Sequence, residues 1–231
     1  IISQAYSVLS LRRKSFSISA IATLTSSLVD LALVSSLSVF RDIINLFSVL
    51  SRESLMVDNK QLTSAILNAQ YDLAKKLSCK PEHYDCYLSN LLGLFVENGN
   101  TIQRMISKNK KESELPWISK LGKLLPVIRT LLEHDNFNPH LNPSEDTVSL
   151  FRNTWFHCIL FGFVTETIWI REWHESMLFI AKKTPALVIE SATNYLESDL
   201  EYNSVLRGAN TSDRDIGSMR QKLTALLPAL A

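Results

Sequence analysis

Apolar residues recur through this chain at the spacing of an α-helix and nowhere alternate strictly with polar ones, a pattern that points to an all-helical fold. The strongest stripe runs Val148, Phe151, Trp155, Ile159 and Gly162. From Trp155 onward the other faces are apolar too, through Phe156, Leu160, Phe161 and Phe163, so this helix should be covered on most sides. Asn142, Pro143 and Glu145 ahead of it match an N-cap, a proline at the first helical position and an acid at the third. Glycine inside a helix destabilises by about 1 kcal/mol relative to alanine, so Gly162 is expected where a neighbouring helix comes close. Trp155 and Trp173 are expected to be buried.

The remaining stripes fall into three stretches. Residues 1–57 are serine-rich and weakly charged. The run behind Arg12-Arg13-Lys14 has the outline of a transit peptide or a membrane span, but serines and threonines interrupt it and Asp30 sits in its middle. A span needs about 20 predominantly apolar residues. Two buried helices are expected instead, the second striped by Leu37, Phe40, Ile44 and Phe47. Residues 58–135 carry better-marked helices. Asp58 and Gln61 suit a capping box, followed by Leu62, Ile66, Ala69, Leu73 and Leu77. Pro81 opens the next helix, with Tyr84, Leu88, Leu91 and Phe95 inward and Asn98-Gly99-Asn100 as its left-handed ending before a short helix from Thr101. Trp117, Leu121, Leu124, Ile128 and Leu131 mark another, which Pro126 should kink or split.

Residues 136–231 hold the Val148 stripe and a partner helix striped by Trp169, Trp173, Met177 and Ile180. A break follows at Pro185, then a last helix with Ile216, Met219, Leu223 and Leu226. About ten helices on short connections, without a strict repeat, predict an irregular α-solenoid of antiparallel, HEAT-like helix pairs. Composition agrees, since 6 glycines and 7 prolines are few for the turns of an all-β fold. A net charge of +1 gives no global drive toward nucleic acid. Three cysteines, odd in number and sparse, suit a reducing cytosolic compartment. The chain opens on Ile1 and not Met, the expectation for a piece of a longer polypeptide.

No catalytic or metal-binding constellation emerges. Cys79, His83 and Cys86 would share one face of a continuous helix, but Pro81 interrupts it and no fourth ligand is near in sequence. His157 and Cys158 are adjacent, and adjacent helical residues do not face each other. His134-Asp135-Asn136-Phe137-Asn138 has letters in common with a kinase catalytic loop, but no D-F-G follows and no glycine-rich loop precedes it. Lys108-Asn109-Lys110-Lys111 is diluted by Glu112 and Glu114 and reads as a solvated loop. The four tryptophans sit on helical stripes, where they are more often core than binding platform.

The run Leu150-Phe151-Arg152-Asn153-Thr154-Trp155-Phe156, then Gly162-Phe163, Trp173, Ile180 to Pro185 and Glu201-Tyr202-Asn203-Ser204, resembles type III alpha phosphatidylinositol 4-kinases. In that family the matching stretch lies in a helical solenoid ahead of the lipid-kinase domain. The resemblance implies structural roles for Phe151, Trp155, Phe156, Gly162, Phe163, Trp173, Tyr202 and Asn203, and no catalysis within these residues. It implies a parent enzyme that makes phosphatidylinositol 4-phosphate from phosphatidylinositol and MgATP at the cytosolic face of the plasma membrane. It also implies a tetratricopeptide-like scaffold subunit, a lipid-modified membrane anchor protein and a homodimeric complex. Periodicity alone fits equally well a HEAT-like adaptor of an unrelated trafficking or transport complex, with no enzyme attached.

Overall fold

The computed structural model describes residues 18–56, 60–77, 81–108, 115–133, 145–163, 171–194 and 224, and no strand occurs among them. The helices are α1 (Ile18–Val34), α2 (Leu37–Met56), α3 (Lys60–Lys76), α4 (Pro81–Lys108), α5 (Leu115–Gly122), α6 (Leu125–Leu132), α7 (Glu145–Leu160) and α8 (Arg171–Lys183). Helix also covers residues 185–194. Among the described residues the apolar stripes form the buried sides of their helices: Phe40, Ile43, Ile44 and Phe47 in α2, Ile66 and Leu73 in α3, and Tyr84, Leu88, Leu91 and Phe95 in α4. The expected split at Pro126 falls between α5 and α6, with the proline in the first turn of α6, where its missing N–H has no helical partner to lose. No described helix is long and apolar enough to cross a membrane.

Helices α1, α3, α6 and α8 pack side by side as one layer, and α2, α4 and α7 as a second. Contacts of α2 with α1 and α3, and of α4 with α5 and α6, join the two. Direction follows from the cross-helix contacts. The His83 ring lies 3.2 Å from the Ser35 carbonyl, the Ser48 hydroxyl bonds Asn90 at 2.7 Å, and Arg52 pairs with Glu97 at 3.2 Å. Partner numbers rise together, so α2 and α4 run parallel. Ser89 with Thr147 and Asn100 with His157 say the same of α4 and α7. Parallel layer-mates need a returning helix between them, which the other layer supplies. The α-solenoid expected from the sequence is therefore the fold.

Two helix ends differ from expectation. The first is α4, which runs unbroken through Asn98-Gly99-Asn100 to Lys108, so no ending occurs there and no separate helix starts at Thr101. The second is α7, which stops at Leu160 instead of continuing through Gly162. Gly162 has φ 73°, the left-handed region that glycine enters without a Cβ clash. Its N–H donates to the Ile159 carbonyl at 3.1 Å, and the Phe163 N–H donates to the Cys158 carbonyl at 2.9 Å. That bond pair is a Schellman ending, which satisfies carbonyls the helix leaves unpaired. Glycine is needed for backbone geometry at this position, and a helix beside it is not the reason. Gly162→Ala should destabilise the chain by about 1–2 kcal/mol in urea unfolding; an unchanged midpoint would count against it.

The proposed caps at Asp58 and at Asn142–Pro143, the connection at 134–143, the basic stretches at 12–14 and 109–111 and the final stripe of Ile216, Met219, Leu223 and Leu226 lie outside the described residues.

Candidate functional site

The described residues among those singled out by sequence lie along α7, in the turn that follows it and on α8. Phe151 and Trp155 are buried along α7, and Phe156 is half-buried beside them. Trp155 is fully enclosed and donates its indole N–H to the Thr184 hydroxyl at 3.2 Å, tying α7 to the joint after α8. That hydroxyl in turn donates to the Ile180 carbonyl at 2.9 Å. Once the Schellman turn reverses the chain, Phe163 lands between rings of both layers, 6.3 Å from Phe95, 6.3 Å from Phe161 and 5.9 Å from Trp173. Trp173 is buried in the same cluster. Tyr202 and Asn203 lie outside the described residues.

Two close approaches escaped the sequence reading. A Cβ on Gly99 would stand 2.7 Å from the His157 ring, and one on Gly122 would stand 2.6 Å from the Trp173 ring. Each glycine is therefore a socket for an aromatic of the next helix in its layer or across it. At these two helical glycines a close neighbour does occupy the space a Cβ would need, and no periodicity reveals which glycine has one. Asn100, beside Gly99, faces His157 with its side-chain oxygen at 3.2 Å, so the imidazole Nε2 carries the proton and donates. The His157 ring also stacks on Phe161 at 5.7 Å. Burial holds its pKa down at about 4.

The chemistry available here is correspondingly slight. Burial pushes the Cys158 thiol well above its ordinary range, so it stays protonated and unreactive. The phenols of Tyr84 and Tyr87 are raised too, by burial first and for Tyr84 also by the Asp85 charge. His83 is buried against Phe40, ring centroids 4.6 Å apart, with its Nε2 at the Ser35 carbonyl. Cys86 is half-buried, and Cys79 lies outside the described residues. No group of three His, Cys, Asp or Glu side chains able to hold a metal ion occurs among the described residues. A seam of enclosed rings, neutral imidazole and protonated thiol can hold helices in register; it presents no activated nucleophile.

Comparison with known proteins places this architecture. The family described as the PI4-kinase N-terminal region matches residues 17–167, well over half of the chain. The chain belongs to that family. This PI4-kinase N-terminal region is also similar to phosphatidylinositol 4-kinase STT4 of Saccharomyces cerevisiae, with 26% identity over 204 residues. The alignment covers 86% of this chain and 11% of the yeast protein, so the chain spans about a tenth of that relative's length. No solved structure matches it. The family model spans helices α1 to α7, and the yeast match, at 86% of the chain, takes in α8 as well, so the likeness extends well upstream of residues 150–204.

Proposed function

We propose that this PI4-kinase N-terminal region is a non-catalytic, HEAT-like scaffold of a lipid kinase, setting the distance and orientation of a catalytic domain and offering its layered surface to regulatory subunits. The observation that carries the reading is family membership of a stretch built as a two-layer solenoid. Solenoids of this kind expose long surfaces whose shape follows from the stacking of successive helices. The parent enzyme would transfer phosphate from MgATP to phosphatidylinositol, and a tetratricopeptide-like subunit with a lipid-modified anchor would hold its dimeric complex on the cytosolic face of the plasma membrane.

Two measurements test this. The isolated chain with MgATP and phosphatidylinositol micelles is expected to form no phosphatidylinositol 4-phosphate; turnover by it would overturn the reading. The full-length kinase lacking this region is expected to keep turnover in detergent micelles while losing its subunits and its place on membranes. Retention of both by the truncated kinase would refute a scaffold role.

A further inference from the structure

One edge of the solenoid collects cations. The Tyr87 hydroxyl donates to the Gln70 carbonyl at 2.8 Å, and the chain turns from α3 into α4 within a few residues, so these two helices are antiparallel. Trp155 with Thr184 and Phe163 with Trp173 say the same of α7 and α8. Gly122 at the Trp173 ring and Arg129 at the Phe179 ring have numbers that rise together, so α6 runs with α8. Since α4 and α7 are parallel, α3, α6 and α8 all finish at one edge of their layer. The last turns there hold Lys75 and Lys76, Arg129, and Lys182 and Lys183. A helix C-terminus favours a cation, yet the last turns of α1 and α2 carry none.

These cations are held in place. Lys75 Nζ lies 4.5 Å from the centroid of the half-buried Tyr71 ring. The Arg129 guanidinium and the Lys183 ammonium both lie over the half-buried Phe179 ring, at 5.5 and 5.8 Å. Side chains already ordered on rings lose less freedom when a partner binds. The chain answers only part of their charge. Glu133 pairs with Arg129 at 2.7 Å, Asp30 with Lys76 at 3.6 Å, and Asp72 stands one turn before the α3 lysines. Lys75, Lys182 and Lys183 have no ion pair among the described residues.

The outline of this row selects its occupant. From α3 to α8 it crosses two helix spacings, about 20 Å, the reach of about six extended residues. Acids bound it on both sides: Glu172 and Glu175 lie about two turns or more back along α8, and Glu145 and Asp146 stand at the same end of the other layer. A membrane leaflet or a nucleic-acid duplex broad enough to cover the row would meet those acids as well. A single extended chain following the row would not.

We infer that the edge where α3, α6 and α8 end docks an extended acidic segment of another polypeptide, with aspartate or glutamate side chains at Lys75, Lys182 and Lys183. This deepens the scaffold reading and rests on it, by naming the chemistry of one subunit contact.

The test treats the full-length kinase, co-expressed with its regulatory subunits, with a carbodiimide that joins a lysine amine to a carboxylate only where the two touch. Amide links are expected from Lys75, Lys182 or Lys183 to one short acidic stretch of a subunit. Lys182→Glu together with Lys183→Glu should weaken subunit binding about tenfold and flatten its dependence on salt, with the melting temperature unchanged. Lys75→Glu, on a different helix, should act the same way. Arg171→Glu, an exposed reversal at the far end of α8, is the control and should change neither. Links only within the kinase chain or to a second copy, no links at all, unchanged binding in the reversed variants, or an equal loss in Arg171→Glu would each overturn the proposal. So would capture of the subunit-free kinase on phosphatidylserine vesicles that the double reversal abolishes, since the row would then be a lipid contact. Subunits that still co-purify in those cases leave the scaffold reading standing; subunits that never bind the unaltered kinase remove it.

Discussion

Trp155→Ala is expected to destabilise this PI4-kinase N-terminal region by about 3–5 kcal/mol, the range for emptying a large aromatic site in a core. The indole is fully enclosed, and its N–H reaches the Thr184 hydroxyl across the seam, so truncation removes packing and a buried hydrogen bond together. The cavity would open between α7 and the joint at Thr184, where helix 185–194 begins. Collapse is hindered there because that helix is held to α7 twice more. The Ser191 hydroxyl donates to the Arg152 carbonyl at 3.0 Å, and Arg152 pairs with Glu190 at 2.7 Å. Urea unfolding of the chain measures the loss. Arg152→Ala is the matched control: both partners of its ion pair are well exposed, so its removal should lose only about 0–1 kcal/mol. A Trp155→Ala shift as small as the Arg152→Ala shift would mean that the seam is not a core.

The contrast between Trp155 and Gly99 shows where sequence reading succeeds and where it stops. A stripe such as Phe151, Trp155 and Ile159 is a local property, since helical geometry alone puts those residues on one side and hydrophobicity turns that side inward. The solenoid follows from many such stripes on short connections, and Pro81 and Pro126 marked helix starts because proline acts on its own turn. Glycine is different. Gly99 beside two asparagines has the composition of a helix ending, yet α4 runs straight through it because the His157 ring from α7 fills the space. Gly162 sits on the apolar stripe of α7, yet it ends the helix. Both outcomes depend on which helix lies alongside, and that is set by packing between distant segments. The helix at 185–194 shows a simpler limit: Pro185 has the look of a stop, although proline is also at home in a first turn.

Acid should weaken this fold through His157. Its pKa is ordinarily 6.5 and burial lowers it to about 4, so above pH 6.5 the imidazole is neutral in folded and unfolded chains alike. Between those values the unfolded chain takes up a proton that the folded chain refuses, and stability falls as pH falls. The full difference corresponds to about 3 kcal/mol, reached near pH 4, below which the folded form protonates as well and this contribution levels off. The refusal has a structural cause. The ring is held between Phe161 and the bare backbone of Gly99; Nε2–H is committed to Asn100, and Nδ1 is buried without a hydrogen-bond partner. A proton on Nδ1 would place a charge where neither water nor an acceptor can reach it. His157→Gln keeps an amide donor for Asn100 and cannot titrate. Unfolding free energies from pH 7 to 4.5 should therefore fall more steeply for the native chain than for this variant, and parallel curves for the two would remove His157 as the cause.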